Sequence, residues 1–363
     1  MRVLMVDSER TWRGGEAQLR LLVKGLLSEG VEVSLAAPRN SEIHLRTREL
    51  AMPFHPVSIA GGMDGVSAWR LRGVVRRGGY GIVHAHSSHA HSVAFLATAA
   101  MHARPRLVVS RRVDFPVGKH AASRLTYLHG ADMFLAISSG VREALLAGGV
   151  APERIRMVPS GVDLQKFEKV GDGGRVRSEF GIAADAPVVG NVAALAPHKS
   201  QVDLVRAARI VADRVPSVRF LLVGEGELRN DLEAQVRGLG LEGTVKFTGF
   251  REDVLDVMAA FTCFVMSSYL EGLCTSIMDA QAMGIPVVAT DTGGIPDIVR
   301  DGVTGLLVAP RKPEQLAVAI IRLLEDETLR RRLADAGVRQ AVGDDYREMV
   351  YKTLDAYRGL MRA

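Results

Sequence analysis

The segment SSYLEGLCTSIMDA (residues 267–280) carries two carboxylates eight positions apart, Glu271 and Asp279. Before it stands the apolar run at Phe264 to Met266, which reads as a strand; after the turn a helical pattern begins. The carboxyl end of a strand opening onto a helix start is where α/β sheets bind ligands, because unpaired N–H groups and the helix dipole attract anions there. Glu271 on the loop and Asp279 about one turn into the helix can both face such a pocket, and carboxylates accept hydrogen bonds from sugar hydroxyls. A helix-capping network of Glu271, Thr275 and Ser276 would use the same letters, and periodicity alone leaves both readings open. Cys274, without a nearby histidine in sequence, reads as a small turn residue and not as a nucleophile.

Toward the N-terminus, Gly14 and Gly15 follow the first predicted strand and open a helix, so backbone can approach a ligand there without side-chain hindrance; plain loop flexibility is the alternative. Neither this turn nor Gly224-Glu225-Gly226, with Arg229 where a third glycine would fall, forms Gly-x-Gly-x-x-Gly, which disfavours a nicotinamide cofactor. His84, His86, His89 and His91 cluster at the end of the Ile82 strand, and alternation puts His84 and His86 on one face. With no fixed carboxylate or cysteine partner nearby they read as a polar strand end, and no metal is expected. Arg111, Arg112, Asp114 and Lys119 follow the next strand. They could hold an anionic acceptor or form an exposed basic loop, with Asp114 alternatively a base. No Asp-x-Asp occurs, so a metal-chelating carboxylate pair of that spacing is missing, and the chemistry is expected to run without metal or other cofactor.

The elements that must position these residues come in two series. The 363 residues suffice for roughly two domains. Strands are expected at Arg2 to Val6, Val31 to Ala36, Ile82 to Ala85, Leu107 to Ser110, Met133 to Ile137 and Ile155 to Val158. A second series is expected at Val188 to Val192, Val218 to Val223, Val245 to Thr248, Phe264 to Met266, Pro286 to Ala289 and Gly305 to Val308. Helical segments alternate with both, which predicts an α/β chain of two doubly wound domains facing a cleft. The polar, glycine-rich stretch from Pro159 to Gly174 reads as the linker. The expected division is 1–163, 164–344 and a final helix over 345–363 that crosses back to the first domain.

Net charge divides along the same line. Residues 1–163 hold 21 Lys and Arg against 13 Asp and Glu, net +8, and the remainder 25 against 28, net −3, which together give the +5 of the chain. Nine of ten histidines also lie in the first part. A basic half of this kind suits anionic lipid, a phosphorylated glycan or nucleic acid; a solvated basic face is the alternative. The first apolar run is too short for a signal peptide, no stretch of about 18 apolar residues occurs, and two cysteines, Cys263 and Cys274, fit a reducing compartment. A cytoplasmic location is therefore expected.

The 267–280 segment resembles the Glu-x7-Glu signature of retaining family-4 glycosyltransferases of the GT-B fold, with aspartate as the second acid. PVVAT (286–290), GGIPD (293–297) and VPSGVD (158–163) extend the resemblance over nearly the whole chain. It implies that Glu271 contacts the donor sugar, Asp279 the ribose hydroxyls, and the backbone of Leu273, Cys274 and Thr275 the diphosphate of a nucleotide sugar. In NVAALAPHK (191–199), it implies that Lys199 neutralises the leaving diphosphate, a task an ammonium performs by stabilising charge that grows in the transition state. Many members carry an arginine five residues earlier, where this chain has Ala194, and His198 could compensate. The resemblance further places His86 beside the reacting sugar, the Gly14-Gly15 loop at phosphate or acceptor, and Arg251 near the nucleotide base. Implied in sum is hexose transfer with retention, by front-face displacement, to an anionic glycan or lipid-linked acceptor of the cell envelope. Peripheral contact with the inner membrane and no nucleic-acid partner go with that reading. Sugar-nucleotide epimerase or phosphorylase activity, and a non-catalytic sugar-nucleotide binder, remain as alternatives.

Overall fold

The computed structural model describes residues 1–115, 117 and 121–362, and it divides into two compact units. The first is Met1–Gly161 with the helix Tyr346–Arg362, the second Val162–Asp345. Lys119 lies outside the described residues.

Among the described residues the first unit has seven strands, β1 (Arg2–Val6), β2 (Glu32–Ala37), β3 (Phe54–Pro56), β4 (Ile82–Ala85), β5 (Arg106–Arg111), β6 (Met133–Ala136) and β7 (Ile155–Met157). They form one parallel sheet in the order β3-β2-β1-β4-β5-β6-β7. The second unit has β8 (Val188–Val192), β9 (Arg219–Val223), β10 (Val245–Gly249), β11 (Cys263–Met266), β12 (Val287–Thr290) and β13 (Leu306–Val308), parallel in the order β10-β9-β8-β11-β12-β13. The strands are nearly continuous apolar runs, as burial on both faces requires: β4, β6, β11 and β12 are buried at every residue. The edge strand β3 has no counterpart in the sequence reading, since three residues ending in proline give neither alternation nor a β-branched run.

These strand orders locate the ligand-binding ends. In each sheet the chain winds outward in one direction, then returns to the centre and winds in the other. The direction reverses between β1 and β4 in the first unit and between β8 and β11 in the second. Crevices beyond the carboxyl ends of those pairs are the switch points where open α/β sheets take their ligands.

In the first unit the helix Tyr346–Arg362 packs on the helix Gly14–Ser28. A Cβ at Gly25 would fall 2.3 Å from Cγ2 of Val350, so the close approach requires glycine. That helix buries Tyr357, whose hydroxyl lies 2.5 Å from Nδ1 of His84.

In the second unit the loop after β8 is tied to the loop after β9. Ala193 N–H donates to Val223 O (3.0 Å), Leu195 N–H to Glu225 O (3.0 Å) and Leu228 N–H to Leu195 O (3.1 Å). Two glycines permit this: a Cβ at Gly224 would sit 2.1 Å from Ala193 O, and one at Gly226 2.3 Å from Leu195 O. Gly224 also has φ of +132°. Gly224→Ala is therefore expected to cost about 2–4 kcal/mol and lower Tm by roughly 5–12 °C, measured by calorimetry. An unchanged Tm would show that this loop contact does not bear on stability.

Candidate functional site

The helix Gln201–Arg214 is entered through Ser200, whose φ of +52° turns the chain sharply after the short 3₁₀ turn Pro197–Lys199. Its Cβ-bearing side chain tolerates this conformation while Ser200 Oγ donates to Asp203 Oδ2 at 2.7 Å. The turn aims Lys199 at the β8/β11 switch point. There the Lys199 ammonium donates to Glu271 Oε2, with side-chain exposures of 15% and 10%, so the pair is largely withdrawn from water. Ser268 Oγ donates to the same carboxylate oxygen at 3.1 Å, and Thr290 Oγ1 at the end of β12 donates to Ser268 O. Further bonds fix the loop: Ser267 Oγ to Lys199 O (2.9 Å), Tyr269 N–H to His198 O (2.9 Å) and Gly294 N–H to Glu271 O (2.9 Å). Residues brought together by folding thus lie 72 positions apart in sequence.

Leu273 and Cys274 are buried and lead into the helix Thr275–Ala282, whose N-cap Cys274 makes no side-chain cap. Helix starts of this kind present N–H groups with no carbonyl one turn before them. Burial, and next the Glu271 carboxylate, push the Cys274 thiol up to about 12, which leaves it protonated and a poor nucleophile. One turn on, Asp279 Oδ1 accepts from Lys166 Nζ at 2.6 Å. Sequence reasoning missed Lys166; it comes from the 3₁₀ turn Leu164–Phe167, 113 residues before its partner, with no spacing to signal it.

Arg251 is spread over two acids: its guanidinium donates to both oxygens of Glu179 (2.6 and 3.1 Å) and of Asp253 (2.7 and 2.8 Å). Bonds from Asp253 first and Glu179 next raise its pKa. The side chain is thus a clamp between the β10 loop and the helix Gly174–Glu179. His198, half-buried, flanks the Lys199 turn, and Ala194 offers no cation; its carbonyl accepts from Gln201 Nε2 at 2.9 Å.

At the carboxyl ends of the first unit's central strands, Asp7 follows β1, His86 follows β4, and Arg111 ends β5 with Arg112 just after it. Gly14 and Gly15 begin the helix Gly14–Ser28, where the Glu16 carboxylate accepts from Arg13 N–H at 2.8 Å. Gly15 lies against Arg112, whose Cδ would be 3.5 Å from an added Cβ. The two arginines part company. Arg111 is buried and spends its donors internally, on Val113 O (3.0 Å), Phe115 O (2.5 Å) and the Tyr127 hydroxyl. Arg112 lies 3.5 Å from Nδ1 of His86, has an Nε without a partner, and is pushed down to about 10 by burial. Asp114 is half-buried on the same loop.

His84 and His86 pack with ring centroids 4.0 Å apart and their planes tilted by 38°, and His84 Nε2 meets Ser110 Oγ at 2.9 Å. Burial lowers both pKa values, His84 to about 3, so both rings stay neutral. The other two histidines leave this group: His89 is exposed, and His91 is buried among Tyr127, Phe134 and Gly130 O. Asp7 is the residue the sequence concealed. It is 1% exposed, neither oxygen has a hydrogen-bond partner, and burial, then Glu16 and Glu9, raise its pKa to about 7. In the sequence it shows only as the charge that ends the first apolar run.

Two parallel doubly wound sheets, each with polar and charged groups gathered at its switch point, form the GT-B architecture of glycosyltransferases. The family models agree with it unit by unit: "Glycosyltransferase Family 4" matches residues 12–166 and "Glycosyl transferases group 1" residues 174–340. Among curated relatives, the lipopolysaccharide core biosynthesis glycosyltransferase LpsE of Rhizobium meliloti is 33% identical over 253 residues, 70% of this chain and 69% of that one. A D-inositol 3-phosphate glycosyltransferase of Kribbella flavida is 29% identical over 312 residues, 80% and 73% of the two chains. The crystal structure of Anabaena HepE in complex with UDP-glucose matches with a TM-score of 0.88 at 23% identity, covering 99% of this chain and 100% of that one, a likeness of fold. The chain belongs to the family-4, group 1 glycosyltransferases.

Proposed function

We propose that the protein transfers a hexose from a nucleotide-diphosphate sugar, with retention, to an anionic glycan or lipid-linked acceptor of the cell envelope. The observation that carries this reading is the Lys199–Glu271 pair beside the uncapped helix start at Thr275. A diphosphate at that helix start would accept from the N–H groups of Leu273, Cys274 and Thr275, and Lys199 would meet the charge that grows on the leaving oxygen. Glu271 would hold the donor sugar, and Asp279 would exchange part of its bond with Lys166 for the ribose hydroxyls. In front-face displacement the leaving phosphate takes the acceptor proton, so no protein nucleophile is needed. His86, neutral, would bond a sugar hydroxyl, and Arg112 an anionic acceptor group. The relatives support the class of substrate: HepE is a complex with UDP-glucose, and LpsE is named for lipopolysaccharide core biosynthesis. A lipid-linked acceptor would be met at the cytoplasmic face of the inner membrane; among the described residues no helix is long and apolar enough to cross a membrane.

The test is thermal-shift binding of UDP, GDP and ADP and their sugar conjugates in the presence of EDTA, then hydrolysis of any conjugate that binds. A shift with one nucleotide at 100-fold excess over its Kd should reach about 2.7 kcal/mol of stabilisation, with slow release of its sugar. No shift with any nucleotide would overturn the proposal.

A further inference from the structure

Asp7, Glu16, His86 and Arg112 meet at the carboxyl end of the first unit's sheet. Parallel pairing sets Met5 opposite His84 and Val6 opposite Ala85, and His86 N–H donates to Val6 O at 3.0 Å. Continuing that register puts Asp7 beside His86 on one face of the sheet. Arg112 comes across from the end of β5, and Glu16 from the first turn of the helix Gly14–Ser28. The loops after β1 and β4 are tied together next to Asp7, with Ser8 Oγ 2.7 Å from Ser87 Oγ and Ser8 N–H donating to that hydroxyl at 3.2 Å. Among the described residues neither Asp7 oxygen nor the Arg112 Nε–H has a hydrogen-bond partner, and the rest of the guanidinium reaches only His86 Nδ1, at 3.5 Å. A single guanidinium thus answers two buried carboxyls, and a charge on both would stand uncompensated away from water. Both acids respond in the same direction. Burial comes first in raising each pKa, that of Asp7 to about 7, where Glu16 and Glu9 come next and Ser8 and Ser87 pull weakly the other way.

We propose that Asp7 couples a proton to the anion site on Arg112: a phosphate or carboxylate group of the acceptor binds the guanidinium, and an ionised Asp7 then takes one proton from solvent. Asp7, 1% exposed, does not touch the anion; it is a positioning residue that acts through Arg112. The cause is electrostatic. An arriving anion takes up the positive charge that Arg112 shares with Glu16 and Asp7, and three negative groups around one guanidinium repel, so the most basic carboxylate is protonated. The start of the helix Gly14–Ser28 lies against the same guanidinium, since a Cβ on Gly15 would be 3.5 Å from Arg112 Cδ, and its first N–H groups have no carbonyl one turn before them. Anion affinity should therefore fall as pH rises above about 7. This rests on Arg112 taking the anionic group of the acceptor, as proposed above, and adds the residue that sets the pH range of that contact.

Trp69→Phe leaves Trp12, half-buried two residues before Gly14, as the sole tryptophan. Its fluorescence is followed on titration with sulfate and with glucuronate at constant ionic strength. Neither anion changes charge between about pH 6.5 and 8.5, so the pH dependence belongs to the protein; tighter binding of one or the other separates a phosphate-type from a carboxylate-type acceptor group. Over that window His84 and His86 stay neutral and Arg112 stays charged, which leaves Asp7 to change state. Kd should rise about 5–20-fold from pH 6.5 to 8.5. In Asp7→Asn it should change by less than about twofold, and at pH 8.5 this variant should bind more tightly than the parent, a gain that a merely structural role would not produce. In the parent, saturating sulfate should raise the midpoint of the Asp7 carboxyl, followed by carbon-13 NMR, by about one to two pH units. A Kd that does not change with pH, an Asp7→Asn protein with the parent's pH dependence, or an Asp7 midpoint that sulfate does not move would overturn the coupling. An anion response that survives Arg112→Gln would overturn the anion site beneath it. The nucleotide test above reads donor binding, so the two fail separately.

Discussion

Lys199→Ala is expected to lower kcat/KM for sugar transfer by about 10²–10³-fold, a loss of roughly 3–4 kcal/mol in transition-state stabilisation. The reason is the growth of charge: a diphosphate leaving group becomes more anionic as the glycosidic bond breaks, and an ammonium in a site poor in water favours that state over the ground state. Lys199 meets both conditions, since it is 15% exposed and held on a turn that Ser200 and the Gly224 contact make rigid. Removing it also leaves the Glu271 carboxylate without its ammonium, and breaking a buried pair from one side can cost about 3–5 kcal/mol of stability. The double variant Lys199→Met/Glu271→Gln separates the two effects. It withdraws both charges, so Tm should recover toward the parent while transfer stays low. Full kcat/KM in Lys199→Ala, or activity that returns together with stability in the double variant, would reduce the pair to a structural role.

The sequence made the alternation of strands and helices plain because parallel strands buried on both faces must be apolar and β-branched, as Ile82–Ala85 and Val188–Val192 are. It also announced the 267–280 segment, where chemistry-bearing residues lie close along the chain. It could not show what depends on strand order. Only the sheet order brings the end of β8 beside the end of β11, and with it Lys199 to Glu271. Side-chain destinations were equally hidden. Arg111 and Arg112 are adjacent and identical in type, yet one bonds two carbonyls and a phenol while the other keeps an unpartnered Nε, a difference set by the alternating faces of a strand end. Lys166 and Asp279 meet across 113 residues, and Asp7 gains its importance wholly from being covered.

That covering has a consequence measurable without substrate. Asp7 holds its proton to about pH 7 in the folded chain but only to about 3.8 when unfolded, so it costs stability as pH rises through that window. His84, His91 and His86 act in the opposite sense. Their folded pKa values, about 3, about 4 and well below 6.5, mean that only the unfolded chain takes up protons below pH 6.5, and stability falls with acid. Between about pH 4.5 and 6 the unfolded state therefore binds three protons at the histidines against one held by folded Asp7, a net difference of two. From these four groups stability should rise by about 2.7 kcal/mol per pH unit. Both tryptophans lie in the first unit with these residues, so denaturant unfolding followed by tryptophan fluorescence at pH 5, 6 and 7.5 reads the effect directly. Asp7→Asn should steepen the acid limb to about three protons and raise stability at pH 7.5 by roughly 2–4 kcal/mol, because the amide carries no charge to bury. A flat profile between pH 5 and 6, or an Asp7→Asn protein less stable than the parent at pH 7.5, would show that water or a rearranged partner reaches these groups. Within the first unit the buried acid and the buried imidazoles thus pull in opposite directions: stability from these four groups still climbs at pH 6.5, where the unfolded histidines are half protonated, and levels off above about pH 7, where the loss of the Asp7 proton offsets the last of the histidine deprotonation.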